Sequence, residues 1–259
     1  MRSFIVSGIF IATLAGACGS NTSPDSSNAV SDAGSASDAS TTTNANDAST
    51  SSDASIATDS GVDAGDQVAA LLALTSSCNQ ISDGLFALNA GDTPTVPICG
   101  LKNAVFWKAD MDIDCDGKQT TQCNSAADPD YQNSTAAVDS MGNALDAANL
   151  PYVVVPGKST RFDSAAAGLA HGSVILVLYN HQIEYAVFGD VGPSADIGEA
   201  SYATAVGLGI NPNPKTGGED AADVLYVAFT GTTAVASPIE NHAQAVSVGE
   251  ARLKELLGL

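Results

Sequence analysis

The chain has 259 residues, 44% of them apolar and 5% aromatic, and its 29 acids against nine Lys and Arg give a net charge of −20. A field of that sign disfavours nucleic acid and acidic polysaccharides and favours a polycation. The acidity is spread along the chain: residues 19–66 carry eight Asp and no base, while residues 67–259 carry 21 acids against eight bases and keep a net −13.

At the N-terminus, Arg2 precedes an apolar run from Phe4 to Leu14 that ends in Ala15, Gly16, Ala17 and Cys18. The run is too short to span a bilayer. A basic start, a short apolar stretch and a small-residue cleavage site describe a secretory signal over residues 1–18. Cys18 sits where the lipobox of bacterial lipoproteins has its lipidated cysteine; an ordinary signal peptide with a nearby cysteine is the alternative. Gly19, rather than an aspartate, follows it, which favours the outer membrane; the expected location is lipid-anchored at the cell envelope, or extracellular. Residues 19–66 are almost wholly Ser, Asp, Ala, Thr and Asn, with no Lys, Arg or aromatic residue. Too little apolar surface exists there to offset the entropy of ordering, so a disordered tether is expected.

Residues 67–259 are long enough for one domain with its own core, expected to be monomeric. A helix is predicted from Gln67 to about Leu74. Cys78, Cys99, Cys115 and Cys123 form an even set, which in an exported domain reads as two disulfides; pairing of neighbours, Cys78 with Cys99 and Cys115 with Cys123, is favoured among three possibilities. No His lies near them and no C-x-x-C occurs, so a zinc site is not expected. Strand character appears at Ala104–Trp107, Tyr152–Val155, Val174–Tyr179, Ile183–Phe188 and Val224–Phe229. The two runs between Val174 and Phe188, interrupted by Asn180 and His181, read as a hairpin. One later helix follows Asp196 through Ala205 and stops near Gly207 or Gly209. Another begins at Ser237, with Pro238 and Glu240 in capping positions, and ends near Leu257. The fold class is mainly β (α+β). The strand ending Phe188-Gly189-Asp190, its Val191-Gly192-Pro193 turn and the helix opening near Glu199 resemble a double-psi β-barrel core with a few flanking helices.

Two groups of acids carry the chemistry that can be read here. Asp190 ends an apolar strand and Glu199 opens the next helix, so both project toward one cleft. A glycosidic bond is hydrolysed by such a pair, one acid protonating the leaving oxygen and the other activating water or attacking the sugar. The structural alternatives are a turn role for Asp190 and a capping box of Asp196 with Glu199. In the second group, Asp110, Asp112, Asp114 and Asp116 alternate with other residues, which on a strand places all four on one face. Ammonium groups of amino sugars would suit that face, as would Ca²⁺, since Asp112 to Gly117 imitates the opening of an EF-hand loop. Cys123 stands where that loop needs its closing Glu. A solvated strand end is the third reading. Trp107, just before the stripe, is a candidate platform for a sugar ring, or a core residue.

Other chemistries find little support. No G-x-S-x-G elbow occurs, and no Walker or dinucleotide glycine pattern. His171 and His181 flank a strand and His242 sits near a helix start, positions that suit surface or capping roles. No cofactor and no metal are expected.

The segments W-K-A-D-M-D-I-D-C-D-G from Trp107, D-P-D-Y-Q-N-S-T from Asp128, P-Y-V-V-V-P-G from Pro151, E-Y-A-V-F-G-D-V-G-P from Glu184, I-G-E-A-S-Y-A-T-A from Ile197, G-G-E-D from Gly217 and P-I-E-N-H from Pro238 resemble glycoside hydrolase family 75. The likeness runs from Asn103 to near the end of the chain. It implies an endo-acting chitosanase that cuts β-1,4-glucosaminide bonds with inversion, its essential aspartate and glutamate falling on Asp190 and Glu199. By analogy with barrel hydrolases Glu199 is the general acid and Asp190 the base, although a helix N-terminus at Glu199 would favour its ionised form and the reverse order. Inversion requires carboxyl groups roughly 6.5–9.5 Å apart. The anchor and tether depart from fungal members and leave the polymer open. Two rival functions stand beside this one: a non-catalytic surface lipoprotein that binds amino-sugar polymers, and a double-psi barrel enzyme acting on peptidoglycan with one carboxylic acid.

Overall fold

The computed structural model describes residues 63–259. Cys18 and the expected signal segment lie outside the described residues, as does all but the end of the tether. The first helix, α1 (Ala64–Leu74), starts three residues before the expected Gln67. Asp63 caps it, its carboxylate accepting from Asp66 N at 2.9 Å.

Seven strands follow: β1 (Cys99–Leu101), β2 (Ala104–Asp114), β3 (Tyr152–Pro156), β4 (Val174–Tyr179), β5 (Gln182–Gly192), β6 (Glu199–Ser201) and β7 (Glu219–Phe229), with α2 (Tyr202–Leu208) after β6 and α3 (His242–Leu257) at the end. The order β2-β6-β3-β5-β4-β7 returns to β2 through a β2–β7 pairing, which closes a six-stranded barrel; β1 extends it by pairing with β2. The fold is mainly β, consistent with the expected double-psi-like core, and both disulfides, Cys78–Cys99 and Cys115–Cys123, pair as expected.

Alternation along the strands sorts their side chains to two faces. Odd residues of β2 (Val105, Trp107, Ala109, Met111, Ile113) meet Val153 and Val155 of β3, Ile175 and Val177 of β4, Ala186 and Phe188 of β5, Ala200 of β6 and Tyr226 of β7 in one cluster, which is the barrel interior. A second cluster lies on the outside and joins Val154, Leu176, Val187 and Val227 with Val68 and Leu71 of α1 and Ala245 and Leu253 of α3. The β4–β5 hairpin forms where expected. Asn180 and His181 take positive φ values of 46° and 67°, as the tight mirror-image turn between twisted strands requires.

Two expected helix starts move. Glu199–Ser201 is a strand, because β2 and β3 each present an open edge there: all three residues of β6 pair with β2, and Glu199 and Ala200 also pair with β3. The helix therefore begins at Tyr202, capped by Ser201, whose hydroxyl accepts from Thr204 N. Likewise α3 begins at His242 rather than Ser237. Asn241 supplies the cap, and Glu240, expected to do so, instead accepts from the backbone N and hydroxyl of Ser140.

Candidate active site

Four residues stand in one row across four neighbouring strands. Asp112 of β2 is in register with Glu199 of β6, Glu199 with Val154 of β3, and Val154 with Asp190 of β5. Residues directly opposite one another share a face of the sheet, so both expected carboxylates, with Asp112 beside them, emerge on the barrel's outer side. Asp190 reaches that face through a bulge. Val153 pairs with Phe188 and Val154 with Asp190, leaving Gly189 as an extra residue on β5. Only glycine fits there: a Cβ would lie 2.6 Å from that of Tyr152.

The row is roofed by the irregular segment between β2 and β3. Cys115–Cys123 ties its base. Gly117 N donates to Gln132 O at 2.9 Å, Gln132 N to Asp116 Oδ1 at 2.6 Å, and the Tyr131 hydroxyl to Gly117 O at 2.7 Å. Farther on, the segment grips β5: Ala137 N donates to the carbonyl of the bulge residue Gly189 and Ala136 N to Asp190 Oδ1 at 2.7 Å.

Beneath this roof lies a cavity of about 440 Å³ lined by Asp112, Asp114, Asp116, Asp128, Asp130, Asp190 and Glu199, with Val191 and Pro193 among its apolar walls and no Lys or Arg. A second cavity of about 420 Å³ adjoins it, sharing Asp112, Asp130, Val154 and Glu199 and continuing past Leu88, Asn89, Pro156 and Asp196. Glu199 and Asp112 thus stand at the junction of a groove that extends to both sides.

Withdrawal from water and mutual repulsion shape the titration of these acids. Burial, then Asp112, Asp116, Asp190 and Asp128, push Glu199 up to about 7. Asp116 rises to about 6, mainly by burial, although the Gln132 amide opposes the shift. Asp114 is driven well above the usual carboxylate range by burial and by Glu199. Asp190 also rises through burial, held back by the amides of Ala136 and Val191 and by the nearby His171. Glu199 lies in a strand, two residues before the Ser201 cap of α2, rather than in the first turn of the helix.

The acidic stripe is split. Asp112, Asp114 and Asp116 line the groove, but Asp110 is 2% exposed and lies beneath Gly198. Trp107 is not a sugar platform: it is 1% exposed, points into the barrel with the other odd residues of β2, and stacks on Tyr226 at 5.3 Å. Asp196 lines the second cavity instead of capping a helix. Cys123, where an EF-hand loop would close, is in a disulfide, and among the described residues no group of three or more His, Cys, Asp or Glu is arranged to hold a metal ion. Asp128, Asp130 and Gln132 were not expected in the site; their only signal was the D-P-D-Y-Q-N-S-T stretch, which has no periodicity to place it. His242 meets Glu184 at 2.7 Å and takes no part in the groove.

Comparison with known proteins gives a consistent picture. The family described as "Fungal chitosanase of glycosyl hydrolase group 75" matches residues 111–256, more than half of the chain. Endo-chitosanase B of Aspergillus oryzae is 31% identical over 160 residues, which cover 56% of this chain and 67% of that protein. Endo-chitosanase of Aspergillus fumigatus is 36% identical over 150 residues, 53% of this chain and 63% of the relative. Endo-chitosanase C of A. oryzae is 35% identical over 180 residues, 65% of this chain but 44% of the relative. The matched stretch thus spans about two thirds or less of each relative's length.

Proposed function

The chain belongs to the chitosanases of glycosyl hydrolase group 75, and on that premise we propose that it cuts chitosan within the chain, with inversion, using Glu199 as general acid and Asp190 as general base. The row that seats Glu199 and Asp190 on either side of Val154, where two cavities join, carries this reading.

A groove open on both sides of the cutting point accepts the middle of a polymer, which is what an endo-acting enzyme needs. Seven carboxylates in the larger cavity suit the ammonium groups of deacetylated sugars. With Glu199 near 7, its proton is still held in mildly acidic water and passes to the leaving glycosidic oxygen as the C1–O bond breaks. Asp190 has one oxygen fixed by the Ala136 and Val191 amides, and the other takes a proton from the water that attacks C1. Two interstrand steps of ~4.8 Å separate the backbones of the two residues, a spacing compatible with a water between acid and base. The products are a reducing end and a free hydroxyl.

Export and anchoring through Cys18 complete the proposal. Two disulfides fit an oxidising compartment, and incorporation of labelled fatty acid that disappears in C18S would support the anchor; equal labelling of C18S would remove it.

The decisive assay measures reducing-end release from soluble chitosan by the full chain, with D190N and E199Q beside it, and follows the anomer first formed by NMR. Activity lost in both variants, with the α-anomer appearing first, supports the mechanism. Binding without turnover in the parent chain would leave a surface-binding protein, and anhydro ends would indicate lytic cleavage.

A further inference from the structure

Asp110 is the acid of the β2 stripe that never reaches the groove. Its side chain is 2% exposed, and its Oδ1 has no hydrogen-bond partner among the described residues. The main chain of Gly198 covers it. That glycine has a φ of +118°, and a Cβ on it would lie 1.9 Å from Asp110 Oδ1, so the carboxyl and the turn are in direct contact. The carbonyl of Gly198 accepts from Asp112 N at 2.7 Å, and the next residue, Glu199, is in register with Asp112.

From these contacts we propose that Asp110 is a positioning residue for the reaction: its carboxyl is the floor under Gly198, and it sets the height and direction at which Glu199 enters the groove. The inference rests on the reading of Glu199 as the general acid.

The floor works uncharged. The acids that bear on Asp110 are Asp112 on its own strand, Asp220 on β7 and Asp92 in the loop before β1. Lys108, on the same strand, is exposed; Tyr226 donates to the main-chain oxygen of Asp110 at 2.8 Å; Glu199 follows Gly198 on the covering turn. Burial first, and these acids after it, push the Asp110 carboxyl up to about 8. It therefore keeps its proton through the range in which Glu199 keeps its own, and an ionised group there would face buried main chain without a cation.

The test compares D110A and D110N with the parent chain on soluble chitosan, reading kcat, KM and the pH profile of kcat/KM. D110A is expected to lower kcat at least tenfold with KM within twofold, and to move the basic limb below its parent position near pH 7, because a sagging turn admits water to Glu199. D110N, of the same shape but unable to ionise, is expected to keep at least half of kcat and the parent limb. A folded D110A with parent kcat and limb overturns the proposal, and so does a D110N as impaired as D110A. Should D110A not fold, G198A presses on the same contact from above; it must lose kcat tenfold with KM unchanged, and parent-like turnover in it is equally fatal. E199Q serves as control: if it stays active, the assignment of the acid fails, whereas an inactive E199Q beside an unaltered D110A removes only the positioning role.

Discussion

The two faces of β2 make opposite uses of burial. Its odd residues, Trp107, Met111 and Ile113 among them, are withdrawn from water into apolar contact inside the barrel, where each large side chain contributes roughly 1.5–3 kcal/mol. Its even residues Asp110 and Asp114 are as deeply withdrawn, yet the charged groups that act on them are other acids. Here burial destabilises the charged form and holds protons at pH values where carboxylates normally release them. One strand thus supplies rigidity on one side and proton chemistry on the other, and the barrel interior has to offset what the groove costs.

The largest break in this comparison is expected at the row itself. D190N and E199Q should each lower kcat/KM for chitosan by on the order of a hundredfold or more, the usual scale of acid–base catalysis, while their thermal midpoints stay at or above that of the parent. A loss confined to one variant would separate the pair. On the other face, W107A should lower stability by about 3–5 kcal/mol, as core aromatic truncations do, measured by urea denaturation. W107F should keep KM within twofold, which a sugar platform would not.

The pH dependence sharpens the contrast. With Glu199 as the proposed acid and Asp190 as the proposed base, activity should fall as pH rises through about 7, where Glu199 lets go, and fall at low pH as Asp190 takes up a proton, above the usual aspartate range. Stability follows a different course. Carboxyls whose folded values are raised bind more protons folded than unfolded, so their contribution is complete below their unfolded values near ~4 and is lost as pH rises toward about 8. The melting temperature should therefore decline from pH 5 to pH 8, with a shallower slope in D114N; a flat profile would mean that these acids are solvated. The smallest effect concerns salt. Raising ionic strength from 0.02 to 0.5 M should reduce kcat/KM several-fold, on the order of tenfold at most, by screening a polycation from the groove, and leave the W107F variant as sensitive as the parent.

The parts legible in the sequence are those whose local pattern and tertiary setting agree. The β4–β5 hairpin was readable because two β-branched runs meet at Asn180-His181, and Asp190 and Glu199 could be paired because they bracket a single turn. β6 was hidden, since nothing in Glu-Ala-Ser marks a strand; the edges of β2 and β3 impose it. The environment of Glu199 was misread for the same reason, a helix start being the better local match. Alternation grouped Asp110 with Asp112 and Asp114 but did not show that the Gly198 turn would lie across one of them. Trp107 belonged to that strand's other parity, and the proximity of an aromatic to acids in sequence said nothing about its side. Asp128 and Asp130 arrive on a segment held by a disulfide and loop hydrogen bonds, geometry that no periodicity encodes.

The extra residue on β5 has a consequence of its own. Val187 and Asp190 are three apart and still share a face, because Gly189 shifts the phase of the strand as an inserted letter shifts a reading frame. Downstream of it, parity is reversed. Were β5 to pair with β3 without that bulge, Gly189 would stand opposite Val154 and Asp190 opposite Val155, turned toward the barrel interior. The place of Asp190 is thus set by where β5 takes up its extra residue, and the same sequence paired without the bulge would lose the row while every carboxylate in it survives.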